Sequence, residues 1–231
     1  MTEENRNYDF VFCVDGTGSM APYMDKIRAF IREMPNMTTE MFDENDYPGK
    51  CTVRIKIIVF RDYRDDAAPP MEESPFFEIP KESEALERAL QKIEAGGGGD
   101  EPENGWEALY LAMKSDFRGG RSIDRQCIVL ISDDDAIPIK ECEGAPGYPE
   151  DMVDIVGLCK FWHCGIGGYK LRERSKALFI FAPERTSYEG MSCAFNRSAF
   201  FPLSFDGDNI CGLDAREMLK ILIGGYFPEY Y

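Results

Sequence analysis

Short apolar segments alternate along the chain with longer segments whose apolar residues recur every three or four positions. The short segments are rich in Val, Ile and Phe and predict buried strands, whereas the longer period is typical of helices with one buried face. The predicted strands are 8–14, 52–60, 76–79, 127–132, 177–182 and 199–205. The predicted helices are 20–34, 83–93, 106–113, 149–162 and 213–223.

Strands that alternate with helices predict a mainly parallel sheet covered on both faces. We therefore expect an α/β fold in which 1–231 form a single Rossmann-like doubly wound domain, with 76–79 as an antiparallel edge strand beside the second strand. Pro35 is expected to end the first helix, Ser83 to cap the second, and Gly224-Gly225 to end the last.

A carboxylate and two hydroxyls follow the first predicted strand at alternate positions. Asp15, Thr17 and Ser19 are separated by glycines and lead directly into the first helix. Oxygen donors of this kind are the ligands that Mg²⁺ prefers, and ligands of doubly wound folds bind where the strands end. Two further acidic segments are expected at the same edge of the sheet, the glycine-rich 96–103 and 133–135. Helix capping alone would also account for acids at helix starts.

These segments resemble the von Willebrand factor type A domains, whose metal-ion-dependent adhesion site begins with Asp-x-Ser-x-Ser. Here that motif is Asp15-Gly16-Thr17-Gly18-Ser19, in which Thr17 keeps the hydroxyl. Three further stretches carry the resemblance, namely Val59-Phe60-Arg61-Asp62-Tyr63, the Gly-Gly-Gly-Gly-Asp-x-Pro-Glu stretch of 96–103, and Val129-Leu130-Ile131-Ser132-Asp133. They cover about the first three fifths of the chain by motif.

The resemblance implies a divalent cation, Mg²⁺ or else Mn²⁺ or Ca²⁺, held by Asp15, Thr17, Ser19 and Asp133. The family often supplies a threonine from the second loop, but this chain has none between Thr52 and Thr186. Asp100 is the candidate in its place and Glu103 the reserve.

The resemblance further implies a protein-binding adaptor rather than an enzyme, with another protein docking at the metal. Intracellular bacterial members often accompany signalling or stress-response systems. With two acids neutralising the ion, the site is expected to repel an acidic partner without metal and to accept one with it. If Asp100 also binds the ion, the site becomes anionic, and a water, a backbone carbonyl or a basic partner is favoured as the sixth contact.

Two enzymatic interpretations compete for the same segment. Gly16-x-Gly18-x-x-Ala21 matches a dinucleotide-binding pattern. That pattern requires an acid about twenty residues later, at the end of strand two, but here strand two ends near Phe60, far beyond that spacing. Cys13-Val14-Asp15-Gly16-Thr17 is similar to the Asp-x-Asp-Gly-Thr motif of haloacid-dehalogenase-type phosphatases. Cys13 stands where those enzymes have the nucleophilic aspartate, and a soft sulfur is a poor Mg²⁺ ligand. A metal-assisted hydrolase of another kind remains the alternative function.

Composition limits which classes of partner and which cellular compartment are expected. The formal net charge of −16 argues against nucleic acid or an anionic membrane surface as the main partner. Eight cysteines, several inside predicted strands or helices, favour reduced buried thiols. The short segment before the first strand leaves no room for a signal peptide, and no apolar run reaches membrane-spanning length, which predicts a cytoplasmic protein. The oligomeric state stays open.

Overall fold

A seven-stranded sheet forms the centre of the fold in the computed structural model, which describes residues 5–64, 68–98, 102–118, 121–164, 171–207 and 209–227. Its strands are β1 (Arg6–Asp15), β2 (Cys51–Phe60), β3 (Met71–Glu73), β4 (Phe77–Ile79), β5 (Arg125–Ile131), β6 (Lys176–Ala182) and β7 (Ser198–Pro202). The order is β3-β2-β1-β5-β6-β7, with β4 also paired to β2. The strands β2, β1, β5, β6 and β7 are mutually parallel.

Six α-helices within the described ranges bury the sheet on both faces. They are α1 (Met24–Glu44), α2 (Ser83–Gln91), α3 (Gly105–Met113), α4 (Ile155–Cys164), α5 (Ser187–Ser192) and α6 (Ala215–Gly224). One core contains residues of α1, α2 and α6, and the other contains residues of α3, α4 and α5. The predicted α/β fold is confirmed, including the antiparallel pairing of β4 with β2; β3 is a second antiparallel strand that the pattern did not predict.

The first helix differs from its prediction at both ends. Gly18–Tyr23 form a short 3₁₀ helix, and α1 then runs through Pro35 to Glu44. The prediction that Pro35 ends the helix is wrong because the residues after it, including Met41 and Phe42, bury their side chains in the core. That burial offsets the one backbone hydrogen bond that a proline removes.

Three other predicted elements have different bounds. Ser83 is the first residue of α2, and its hydroxyl donates to the Pro80 carbonyl, so it does not cap the helix. The predicted helix 149–162 begins only at Ile155, where the Asp154 carboxylate accepts the Gly157 N–H. The predicted strand 199–205 divides into β7 and β8 (Ser204–Asp206), which pairs with β9 (Asn209–Cys211). The last helix ends at left-handed Gly225 as expected.

The order of the strands reverses beside β1. From β1 the chain reaches β2 on one side through α1, whereas β5 lies on its other side. Ligands of doubly wound sheets bind in the crevice at such a point, outside the carboxyl ends of the strands. The residues that follow β1 and β5 are therefore placed at one crevice. Separately, none of the helices in the described ranges is both long and apolar enough to cross a membrane.

Candidate metal site

Asp15 ends β1 with its carboxylate completely buried. One oxygen, Oδ1, accepts hydrogen bonds from the Thr17 backbone N–H at 3.0 Å and from the Thr17 hydroxyl at 2.6 Å. The other, Oδ2, accepts a bond of 2.7 Å from the Ser132 hydroxyl, which lies directly after β5. Asp15 is thus held in one orientation by the loop that follows it and by the neighbouring strand.

The two loop hydroxyls form a hydrogen-bonded pair beside Asp15. The Oγ atoms of Thr17 and Ser19 are 3.0 Å apart, and the Ser19 hydroxyl acts on Asp133 by lowering the pKa of that carboxyl group. The structure therefore brings together the four predicted residues that it describes. Because the Thr17 hydroxyl donates to Asp15, the Ser19 hydroxyl can donate to Thr17 Oγ, and both oxygen atoms keep a lone pair that a cation could use.

Burial and mutual repulsion disfavour the ionised form of both acids. Burial raises the pKa of Asp15 from 3.8 to about 6, with the Thr17 hydroxyl opposing the shift and the Asp133 charge adding to it. Burial also raises the pKa of Asp133, although the Ser19 hydroxyl partly offsets the shift. Asp133 Oδ1 is buried and has no hydrogen-bond partner in the described part of the chain. A bound cation would relieve these unfavourable charges.

Glu103 brings a further carboxyl group to this edge of the sheet. Its backbone N–H donates to the Asp135 carbonyl and its carbonyl accepts from Ile137 N–H, at 3.2 and 2.8 Å. The residue is only 4% exposed, and its Oε2 has no partner among the described residues. Burial first, and then the charges of surrounding acids, raise the pKa of Glu103 to about 8. Those acids are Asp15, Asp62, Asp134 and Asp133.

The glycine-rich loop packs directly on the loop of Asp15. Gly18 N–H donates to the Gly97 carbonyl at 3.0 Å, and Gly96 N–H to the Gly16 carbonyl at 2.9 Å. A side-chain carbon on Gly98, whose φ is +75°, would lie 2.7 Å from Thr17 Cγ2 and 2.8 Å from Glu103 Oε1. Only glycine fits there, and Glu103 and Thr17 approach the same point.

We expect Gly98→Ala to displace Thr17 or Glu103 and to weaken Mg²⁺ binding by about tenfold or more, since second-layer contacts of metal sites commonly have effects of 10–100-fold. Calorimetric titration measures the change. The matched control is Gly190→Ala on α5, where an added carbon meets no atom within 4 Å. Unchanged affinity in Gly98→Ala would contradict the proposed geometry.

The neighbouring acids have different roles. Asp135 Oδ1 accepts from the backbone N–H groups of Ala136 and Ser187, both at 2.7 Å, and so ties this loop to the start of α5. Asp134 Oδ1 accepts from Asp135 N–H, whereas its Oδ2 is buried without a partner among the described residues. The Asp135 carboxylate therefore holds the loop in place, whereas Asp134 keeps one carboxylate oxygen without a hydrogen bond from the described residues.

The donor set suits a cation that takes few protein ligands. Within the described ranges, no three His, Cys, Asp or Glu side chains are close enough together to hold a metal ion. Two carboxylates and two hydroxyls remain, which fits Mg²⁺ because that ion usually keeps several waters. Asp100, the predicted replacement for the family threonine, lies outside the described residues. Sequence reasoning missed Ser132, whose only signal is its place directly before Asp133.

Comparisons with known proteins support the fold alone. No protein-family model matches the sequence, and no curated protein matches it. The fold is similar to that of a pilus adhesin, SpaC from Lactobacillus rhamnosus GG, with a TM-score of 0.54 and 11% sequence identity. The match covers 95% of this chain and 31% of the adhesin, so this chain spans about a third of that protein's length. The fold is thus a doubly wound α/β fold that also occurs within a larger protein.

Proposed function

We propose that this chain is a von Willebrand factor type A domain that binds a divalent cation at Asp15, Thr17, Ser19 and Asp133 and docks another protein there. The observation that carries the proposal is the hydrogen-bonded group of Asp15, Thr17 and Ser19, to which Ser132, the residue before Asp133, is joined by its hydrogen bond to Asp15. It joins the ends of β1 and β5, at the point where the strand order reverses. The sequence motif and the observed geometry thus favour the same four residues.

Neighbouring residues fix the orientation of the Asp15 carboxylate, and one of the proposed ligands is exposed to solvent. Ser132 and Thr17 hold the Asp15 carboxylate in place, and the exposed Ser19 brings the site to the surface. A divalent ion bound there would supply an open coordination position for an oxygen atom of the partner. The similarity to the pilus adhesin is a similarity of fold. The word adhesin describes the function of that protein.

Calorimetric titration of the parent with Mg²⁺, Mn²⁺ and Ca²⁺ tests the proposal. We expect saturable binding by the parent, and binding about tenfold weaker or more in Ser19→Ala, because the hydroxyl is a ligand or holds one. The matched control is Ser83→Ala, which removes an exposed hydroxyl at the start of α2. Absence of binding by the parent, or equal binding by Ser19→Ala, would contradict the proposal.

A second candidate function, a metal-assisted hydrolase, is favoured by one observation. A buried carboxyl whose pKa is about 8, as at Glu103, has the proton affinity of a general base near neutral pH. Release of phosphate from a phosphate monoester, with Mn²⁺ present, tests this alternative. Turnover that disappears in Glu103→Gln would favour the hydrolase over the binding module.

A further inference from the structure

Arg61, the first residue after β2, buries its guanidinium beside the loop of the candidate metal site. The residue is 3% exposed, and its side chain donates to oxygen atoms of three distant segments. Nε donates to the Gly16 carbonyl at 2.9 Å, and Nη2 to the Glu94 carbonyl at 2.8 Å. Nη1 donates to the Pro69 carbonyl and to the Glu72 carboxylate, both at 2.8 Å. The guanidinium thus ties the metal loop to the edge strand β3 and to the segment that leads into the glycine-rich loop.

The peptide group that follows Gly16 lies between two of the proposed ligands. Its carbonyl accepts from Arg61 Nε and from Gly96 N–H, each at 2.9 Å. The same planar unit carries the Thr17 N–H, which donates to Asp15 Oδ1 at 3.0 Å. A side-chain carbon on Gly16 would lie 3.1 Å from Arg61 Cζ, so the loop packs directly on the guanidinium. Arg61 therefore fixes the peptide group that sets the spacing of Asp15 and Thr17.

The charge of Arg61 by itself would oppose a bound cation, since like charges repel. Its ion pair with Glu72, at 2.8 Å, offsets part of that repulsion. The favourable contribution of the residue is geometric, because a planar guanidinium holds its donors in fixed directions, whereas a lysine offers one point charge on a flexible chain. Electrostatic and geometric roles therefore predict changes of opposite sign in metal affinity when the charge is removed.

We infer that Arg61 is a positioning residue of the metal site, which sets the affinity for the ion by holding the peptide group after Gly16 and, through it, Asp15 and Thr17. This inference rests on the proposed function and names what regulates that site. The metal affinity then depends on the edge strand as well, because Glu72 of β3 is one of the acceptors that hold the guanidinium in place.

Calorimetric titration with Mg²⁺ tests the inference in Arg61→Lys and Arg61→Gln. We expect both variants to bind about tenfold more weakly than the parent, because the contact of Nε with the metal loop is lost. Arg61→Gln decides between the two roles, since removal of a positive charge alone would strengthen the binding of a cation. The matched control is Arg118→Lys, which removes hydrogen bonds to Asp9 near the amino end of β1 and should keep the affinity of the parent. Tighter or unchanged binding by Arg61→Gln would overturn the inference.

The hydration of bound Mn²⁺ separates positioning from a loss of global stability. Water-proton relaxation per bound Mn²⁺ reports how many water molecules the ion coordinates. When a loop ligand moves away from the ion, a water molecule takes its place. We therefore expect the relaxation per bound ion to rise in Arg61→Lys and to stay at the value of the parent in Arg118→Lys. Equal hydration of the ion in Arg61→Lys and in the parent would overturn the inference, even where stability falls.

Glu72→Ala is a milder test that leaves Arg61 in place. The substitution takes away one of the two acceptors of Nη1, so Mg²⁺ binding should weaken by about threefold, less than after loss of the guanidinium itself. The matched control is Glu73→Ala, which removes the same charge from the same strand and breaks an ion pair of 2.7 Å with Lys56. If the arginine variants do not fold, Glu72→Ala decides, and equal affinities of Glu72→Ala and Glu73→Ala would then overturn the inference.

The outcomes separate the inference from the proposed function. If the parent binds neither Mg²⁺ nor Mn²⁺, the proposed function fails and the inference fails with it. If the parent binds both ions and the Arg61 variants match its affinity and the hydration of its bound ion, the inference alone is overturned.

Discussion

Asp15→Asn is expected to weaken Mg²⁺ binding by roughly 100-fold or more, because it removes the buried charge at the centre of the site. The substitution should preserve the local structure. The amide oxygen of the asparagine can still accept from Thr17 N–H. Its amide nitrogen can donate to the Ser132 hydroxyl, because a hydroxyl can accept a hydrogen bond as well as donate one. Calorimetric titration compares the two proteins. Equal affinities would remove Asp15 from the proposed site.

The same substitution should increase stability when no metal is present. Burial raises the pKa of Asp15 from 3.8 to about 6, so its contribution to stability is fully present below pH 3.8 and is lost as the pH rises through 6. At pH 8 the ionised carboxylate costs about 3 kcal/mol, and asparagine avoids that cost. Without metal, Asp15→Asn should therefore be more stable than the parent at pH 8, with little difference near pH 4.

Bound metal should remove most of this difference in stability. At Mg²⁺ concentrations about 100 times its dissociation constant, the parent gains about 2.7 kcal/mol, whereas the variant gains little. Urea unfolding at pH 8, with chelator and with Mg²⁺, measures both differences. A parent that is the more stable protein in chelator would contradict the stated cost of the Asp15 charge.

Asp9→Asn should cost about 3 kcal/mol of stability, since breaking one partner of a buried ion pair leaves charges uncompensated. Asp9 is 1% exposed and lies near the amino end of β1, away from the candidate metal site. Its carboxylate accepts from Arg54 Nε and Nη2 at 3.0 and 2.6 Å, and from Arg118 Nε and backbone N–H at 2.8 and 2.7 Å. Asparagine keeps one acceptor and places an amide among the donors.

The control is Asp25→Asn, which breaks an ion pair with Arg28 on the surface of α1. Asp25 has a side-chain exposure of 94%, and exposed pairs contribute about 0.5 kcal/mol or less. Urea unfolding measures the free energy of unfolding of both variants, and the slope of that free energy against urea concentration should not change. Metal affinity should be unchanged in Asp9→Asn, which separates stability from binding. Equal losses in the two variants would show that burial does not determine the cost.

The periodicity of the apolar residues predicted the fold for a simple physical reason. Strands buried on both faces, such as Cys127 to Ile131, require nearly continuous apolar sequence, and helices on a sheet require one apolar stripe. Element ends were predicted less well, because they depend on contacts. α1 continues past Pro35 since the residues beyond it pack in the core, and α4 begins where Asp154 accepts a backbone N–H.

The alternation of strands and helices, and the position of Asp15, Thr17 and Ser19 in one loop, could be predicted from the order of residues alone, because neighbours in the chain are neighbours in space. How distant segments meet is known only from the folded chain. It places Ser132 against Asp15, ties Asp135 to α5, and leaves Glu103 and Asp134 with unpaired oxygens. Strand order and loop packing determine which groups become hydrogen-bond partners and which are buried, and the spacing of residues along the chain does not contain that information.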